Sequence, residues 1–336
     1  MTQTTDHTSG PIERKVQVTG GSTYTVSIPK DWANARDIGS GSPVHLYPFD
    51  DRLVVAKPDN GFVRRAQINV EAAGTESLAE QIEAAYAAGA DEIIIESDTG
   101  FDSSERRIAS GAITSLVGVE IATETPERIA AQSLLDPSEV SLEGTIDQLR
   151  GISLSMHENA MRALTGADND SEELARHVVS RDNDVDRLFA LVSRQFYRAL
   201  TDVREINKLG IDRRIALTRF RTARQLERVA DHAELIADVA IRREAPPDPE
   251  LGDRFEKIAT DARRVVRTAL DGNTGEALLR RDDVVDRLDD LDRELYTADR
   301  EGTYLDGRVL ESVRRTAEYG GNVAEIVALA GIANHP

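Results

Sequence analysis

Residues 223–241 read ARQLERVADHAELIADVAI, and residues 314–332 read RRTAEYGGNVAEIVALAGI. Laid side by side without a gap, they place Glu227 opposite Glu318, Asp231 opposite Asn322 and Glu234 opposite Glu325. Upstream, SRDNDVDRLFALVSRQFYRAL at 180–200 and LRRDDVVDRLDDLDRELYTAD at 279–299 repeat in the same way. Arg181-Asp182 and Asp186-Arg187-Leu188 stand opposite Arg281-Asp282 and Asp286-Arg287-Leu288. One structural unit is therefore present twice. Beyond Pro137 the pattern is helical, over 139–165, 171–208, 212–243, 250–271, 274–300 and 306–332, with stops at Gly166, Gly210, Pro246-Pro247, Gly272 and Gly302. Six helices in two repeats predict two three-helix bundles, 139–243 and 249–333.

The repeat carries acidic pairs. Residues four apart lie on one face of a helix, so Asp182 and Asp186, Glu227 and Asp231, and Asp282 and Asp286 each present two carboxylates to one place. Like charges so placed repel unless a cation or a basic residue lies between them. Two such helices side by side bring Asp182, Asp186, Glu227 and Asp231 together, an inward carboxylate arrangement of the kind bundles use for iron, manganese or zinc. His232 and Glu234 flank this group. In so acidic a chain the same pairs also arise on a solvated face, neutralised by Arg181, Arg187 and Arg228 in surface networks of little energetic weight. His157, Met156 and Tyr197 read as packing residues.

These residues, and LERVADHAELIA in particular, resemble the PhoU family of phosphate regulators, over residues 139–332. The resemblance implies two three-helix bundles and iron or zinc clusters, held by Asp182, Asp186, Glu227 and Asp231 in the first bundle and by Asp282, Asp286 and Glu318 in the second. It also implies contact with phosphate transporter or sensor components. The last pair departs from the family pattern, since Asn322 and Val323 stand where the first repeat has Asp231 and His232.

The N-terminal segment is of another kind. KVQVTGGSTYTVSIP alternates around Gly20-Gly21, and SPVHLYPFDDRLVVAK gives two short apolar runs about Asp50-Asp51, so two hairpins are expected within 11–60. Between them SIPKDWANARDIGSG predicts a Pro-started helical turn ending at Gly39 or Gly41, with Trp32 toward a core. So few apolar groups make a marginal monomer, and exchange of strands in a dimer relieves this. Val26-Ser27-Ile28-Pro29-Lys30, Trp32, Ile38, Gly41, Val44 and Leu53-Val54-Val55 resemble the swapped-hairpin DNA-binding domain of the AbrB and antitoxin group. That resemblance implies an intertwined homodimer on DNA, with Arg14, Lys15 and Lys30, and more weakly Arg36, at the phosphates.

Residues 62–135 alternate short apolar strands with helices in the order β-α-β-α-β-β, a small α/β domain. No glycine-rich phosphate motif lies at its strand-to-helix turns. The fold class expected is thus a β-rich swapped-hairpin domain, a small α/β domain and an all-α repeat.

Composition narrows the function classes. Among 336 residues, 60 acids outweigh 41 basic residues for a net charge of −19, and lysine occurs only at 15, 30, 57, 208 and 257. Acid-rich, lysine-poor chains are like those of a high-salt, halophilic cytoplasm, where screening offsets self-repulsion. Residues 1–60 hold six basic and seven acidic residues, a near-neutral patch suited to nucleic acid. The absence of cysteine excludes disulfides and thiolate sites. No apolar run of membrane-spanning length and no signal-peptide core occurs, so a cytoplasmic protein without membrane insertion is expected. None of His157, His177 and His232 has an acid three positions before it, and no nucleophile constellation is present, so no enzyme is expected. The sequence thus points to a regulator of phosphate uptake and phosphate-responsive transcription. The alternative is a DNA-binding transcription factor whose bundles only dimerise or sense a ligand.

Overall fold

The computed structural model describes residues 10–49, 52–58, 63–136, 139–167, 170–297 and 302–333, which fall into two compact units, 1–62 and 63–336. The turn expected at Asp50-Asp51 and the junction at Pro137 lie outside the described residues. Strand-rich region, sheet domain and long helical region follow one another in the expected order.

In the first unit, β1 (Gln17–Thr19) and β2 (Thr23–Thr25) form an antiparallel hairpin, as do β3 (His45–Pro48) and β4 (Leu53–Ala56). Gly20 and Gly21 both take positive φ, 67° and 79°, which is why two glycines stand in this tight turn. Helix α1 (Lys30–Asn34) is one turn long. It stops short of the expected Gly39, in a turn that closes on Asp37 at φ 52°. Trp32 is half-buried under the Arg36 guanidinium, 4.7 Å from the ring centre, and not in a core. Among the described residues of this unit none is buried. Val18 (66% exposed), Tyr24 (77%) and Leu46 (57%) face outward, with Ile12, Val16 and Leu53. One copy of this sequence does not enclose its own apolar groups.

The second unit opens with β5 (Arg65–Asn69), the single turn α2 (Val70–Ala73), α3 (Leu78–Ala87), β6 (Glu92–Glu96), α4 (Ser103–Ser115), β7 (Val119–Glu124) and β8 (Arg128–Ser133). The sheet order is β5-β6-β8-β7, with β5 parallel to β6 and the other pairs antiparallel. Alternation puts Ile68, Ile93, Ile95, Ile129 and Ala131 against Leu78, Ile82 and Tyr86 of α3 and Ala109 and Ile113 of α4. Asp102 and Glu105 begin α4 with a reciprocal capping box.

Among the described residues seven helices follow: α5 (Leu142–Thr165), α6 (Ser171–Thr201), α7 (Val203–Leu209), α8 (Arg213–Arg242), α9 (Pro249–Leu270), α10 (Thr274–Thr297) and α11 (Thr303–Ala333). The helix expected over 171–208 is broken at Asp202, which turns extended (φ −135°, ψ 120°) and caps α7 by accepting from the Arg204 amide. Its carboxylate also meets Arg64 at 3.3 Å and the Arg204 guanidinium at 2.6 Å, contacts the helical pattern of the sequence does not reveal. Helices α5, α6 and α8 form one bundle and α9, α10 and α11 the other; α8 packs on α11 and α5 on α9. The two bundles share one continuous apolar core, so they are joined along a seam rather than separated by a linker. His157 is wholly buried in it, its Nδ1 3.3 Å from Nη1 of Arg263. Burial first, then Arg263 and His232, hold its imidazole well below the ordinary value.

Candidate functional site

Asp182 and Asp186 sit one turn apart on α6, and Glu227, Asp231 and Glu234 face them from α8. The helices exist for apolar reasons: Val178, Val185 and Val192 of α6 and Leu226, Val229 and Ala233 of α8 are buried in the bundle core. That packing fixes the acidic flank. Burial, then Asp186, Glu234, Asp231 and Glu227, push the Asp182 carboxyl up to about 7. Burial and Asp231 do the same to Glu227, against the opposing effect of Arg224, again to about 7. Asp186 is raised by burial; Asp231 is raised by burial and Asp186, and Glu234 by burial, Asp238 and Asp231. Asp182 Oδ1 and Glu227 Oε2 are shut off from solvent without a hydrogen-bond donor. Buried carboxylate oxygens without donors are costly, and a cation removes that cost.

Two of the basic residues expected to neutralise this face have other contacts: Arg181 pairs with Asp184 at 3.4 Å, and Arg228, which still favours the ionised Glu227 and Asp231, lies over the Tyr319 ring at 5.7 Å. Arg224 reaches in, at 2.9 Å from Glu227 Oε1. His232, expected to flank the site, is turned to the seam instead, with Nδ1 3.3 Å from Ser312 Oγ and Nε2 3.3 Å from Tyr319 Oη. Among the described residues no three carboxylate or imidazole groups are gathered tightly enough to hold a metal as they stand. The orphaned oxygens and the all-oxygen donor set nevertheless fit a hard divalent ion.

In the second bundle two of the three expected ligands, Asp282 and Glu318, are already partnered. Arg281 donates to Asp282 through Nε at 2.9 Å and Nη2 at 2.8 Å; Arg315 donates to Glu318 at 2.9 Å. The Asn322 amide donates to Gln225 at 2.9 Å, and Asp286 lines the same cleft, of about 590 Å³. This donor set does not fit a metal.

Sequence reasoning missed a set of contacts that tie the α/β domain to the bundle. Arg194, 3% exposed, donates to the carbonyls of Tyr86 (3.1 Å), in the last turn of α3, and Ala90 (2.6 Å), just beyond it, and covers the Tyr86 ring at 4.9 Å. Arg198 binds the Gly89 carbonyl at 3.1 Å, the Asp91 carboxylate, and both oxygens of Glu205 at 3.0 Å. Gly89 is required here: its φ is +95°, and a Cβ would stand 2.7 Å from Arg198 Cγ. Through this docking α3 brings Glu83 toward the acidic face, where burial and then Asp186 raise its carboxyl. The only signal in the sequence was two arginines, four apart, in an otherwise apolar-patterned stretch.

In the first unit Lys30 opens α1, Arg14 donates to the Glu13 carbonyl at 3.0 Å, and Lys15 is exposed. Arg36 is committed to Trp32, and its carbonyl accepts from Lys57 Nζ at 3.1 Å.

Residues 146–240 match the PhoU domain. The matched segment falls within the first bundle; the second bundle lies outside it. Residues 17–62 match the domain described as antidote-toxin recognition MazE, bacterial antitoxin. No curated protein matches the chain. Among solved structures, the phosphate transport system regulatory protein PhoU from Streptococcus pneumoniae is 17% identical, covering 57% of this chain and 96% of its own, with a TM-score of 0.43. PhoU from Pseudomonas aeruginosa is 18% identical with the same coverages and a TM-score of 0.40. Both domain matches are to non-enzymatic families, and among the described residues no helix is long and apolar enough to cross a membrane.

Proposed function

We propose that this chain is a cytoplasmic, non-enzymatic regulator of phosphate uptake that also acts on phosphate-responsive promoters, through a dimeric N-terminal DNA reader and PhoU-type bundles. The observation that carries the reading is the presence of a PhoU domain and a MazE-type domain in one chain. Each has chemistry suited to its part.

At the N-terminus, exposed apolar strands favour a second copy: pairing two such units buries Val18, Tyr24 and Leu46 and gives the hairpins a common core. A dimer doubles the basic contacts of Arg14, Lys15 and Lys30, and phosphate neutralisation then supplies most of the affinity. In the bundle, Asp182, Asp186, Glu227 and Asp231 are the residues to hold a divalent ion such as iron or zinc. A bound ion supplies positive charge where burial and crowding disfavour carboxylates. The residues' own contribution is to link α6 with α8. The partner reached by the bundles is a component of phosphate transport or sensing.

The test is a titration of the full chain, in molar KCl, against DNA from phosphate-transport promoters, beside the Arg14→Ala/Lys15→Ala/Lys30→Ala variant. Saturable binding that falls at least tenfold in the variant supports the reading. Absence of binding at every salt and metal condition would leave the N-terminal unit a dimerisation device and place all function in the bundles.

A further inference from the structure

The sequence repeat lets the two bundles be compared position by position. Arg181 corresponds to Arg281, Asp182 to Asp282, Ala230 to Gly321 and Asp231 to Asn322. In the first bundle Arg181 turns along its own helix to Asp184, and Asp182 Oδ1 is left buried without a donor. In the second, Arg281 does the reverse. Its Nε and Nη2 both bind Asp282, and its Nη1 lies 4.0 Å from Glu325 on the facing helix α11.

Gly321 makes this path possible. A Cβ at Gly321 would stand 2.6 Å from Arg281 Cδ and 3.1 Å from its Nη1, so the arginine lies in space that any other residue would occupy. The first repeat has Ala230 there, fully buried. The change from Asp231 to Asn322 goes the same way. It removes one carboxylate from the second group, and the amide is spent on Gln225.

We propose that Arg281, seated across Gly321, is the resident cation of the second bundle, so that the chain carries a single divalent-cation site, in the first. A tethered guanidinium neutralises Asp282 at an effective concentration that free ions do not match, and a divalent ion has to expel it before gaining any ligand. The proposal rests on the reading of the first-bundle carboxylates as a cation site, and its test separates the two.

The full chain is equilibrated with Mn²⁺ in molar KCl, passed through a desalting column, and the manganese retained per chain is measured by mass spectrometry. Circular dichroism confirms that each variant is folded. The wild type is expected to lose its manganese in Asp182→Asn/Asp186→Asn, keep it in Asp282→Asn/Asp286→Asn, and gain about one further equivalent in Arg281→Ala/Asn322→Asp. Gly321→Ala, which keeps every charged group and only fills the space beneath Arg281, is expected to weaken the exclusion and raise second-site affinity at least threefold. Loss of manganese in Asp282→Asn/Asp286→Asn overturns the proposal, as does no gain in either folded second-bundle variant. Manganese retained by Gly321→Ala and Arg281→Ala/Asn322→Asp but not by the wild type upholds Arg281 as the excluding cation while overturning the first-bundle reading.

Discussion

At the residue scale, the acidic face of α6 and α8 is destabilising when ionised and empty of cation. Asp182 and Glu227 have folded-state values near 7, above the 3.8 and 4.5 of the free groups. In the unfolded chain they release their protons near pH 4, in the folded chain only near 7, so between these values the folded state holds more protons. Their contribution to stability is therefore present at low pH and lost as pH rises through about 7. His157 and His232, held low in the fold, act with the opposite sign below pH 6.5, and a difference against a variant removes their share. Asp182→Asn is expected to stabilise the metal-free protein by about 1 kcal/mol at pH 8, a figure reduced for partial solvation, and by less than half as much at pH 5, where the unfolded carboxyl is ionised and the folded one is not. Urea denaturation of both proteins at the two pH values checks this; equal differences at both would contradict it. The pairs themselves were legible from four-residue spacing in an acidic repeat. Glu83 was not, because it comes from another domain and its approach depends on where α3 docks. The turning of His232 toward Tyr319 was also hidden, since one residue's offset on α8 decides between the acidic face and the seam.

At the scale of elements, the α/β domain is held to the bundle by α6. Arg194 and Arg198 supply donors to carbonyls at and just beyond the end of α3, and Asp91 and Glu205 balance their charge. Arg194→Ala is expected to destabilise the second unit by about 2–4 kcal/mol, since it strips buried carbonyls of a charged donor and leaves a cavity. Amide exchange should speed up in residues 78–96 before it does in α5 or α9. Uniform acceleration over the whole unit would instead mean that the joint is not separable from the bundle cores. Element identity was readable nearly throughout: periodicity and punctuation predicted the β-α-β-α-β-β order and the helix ends at Gly166 and Gly210, where φ is positive and the chain must turn. The break at Asp202 was not readable, because local sequence there is helical and the contacts that bend it come from Arg64, more than a hundred residues away.

At the scale of the whole molecule, a near-neutral N-terminal unit with no buried residue among those described precedes a strongly acidic unit with an apolar core. The proposed reading pairs the first unit with a second copy and leaves the second unit to stand on its own core. Removal of residues 1–60 is accordingly expected to convert a dimer into a folded monomer, read by light scattering in molar KCl. A truncated chain that remains dimeric would place the interface on the bundles. What the sequence could not disclose at this scale is the shared core of the two bundles, since Pro246-Pro247 reads as a stop between the repeats while α8 packs on α11 and α5 on α9. If one chain joins phosphate regulation to promoter occupancy, the response of phosphate-transport transcripts to added phosphate depends on the basic residues of the N-terminal unit. Cells whose only copy is the Arg14→Ala/Lys15→Ala/Lys30→Ala variant should lose most of that response while accumulating normal amounts of protein. A response undiminished in that variant would contradict the account.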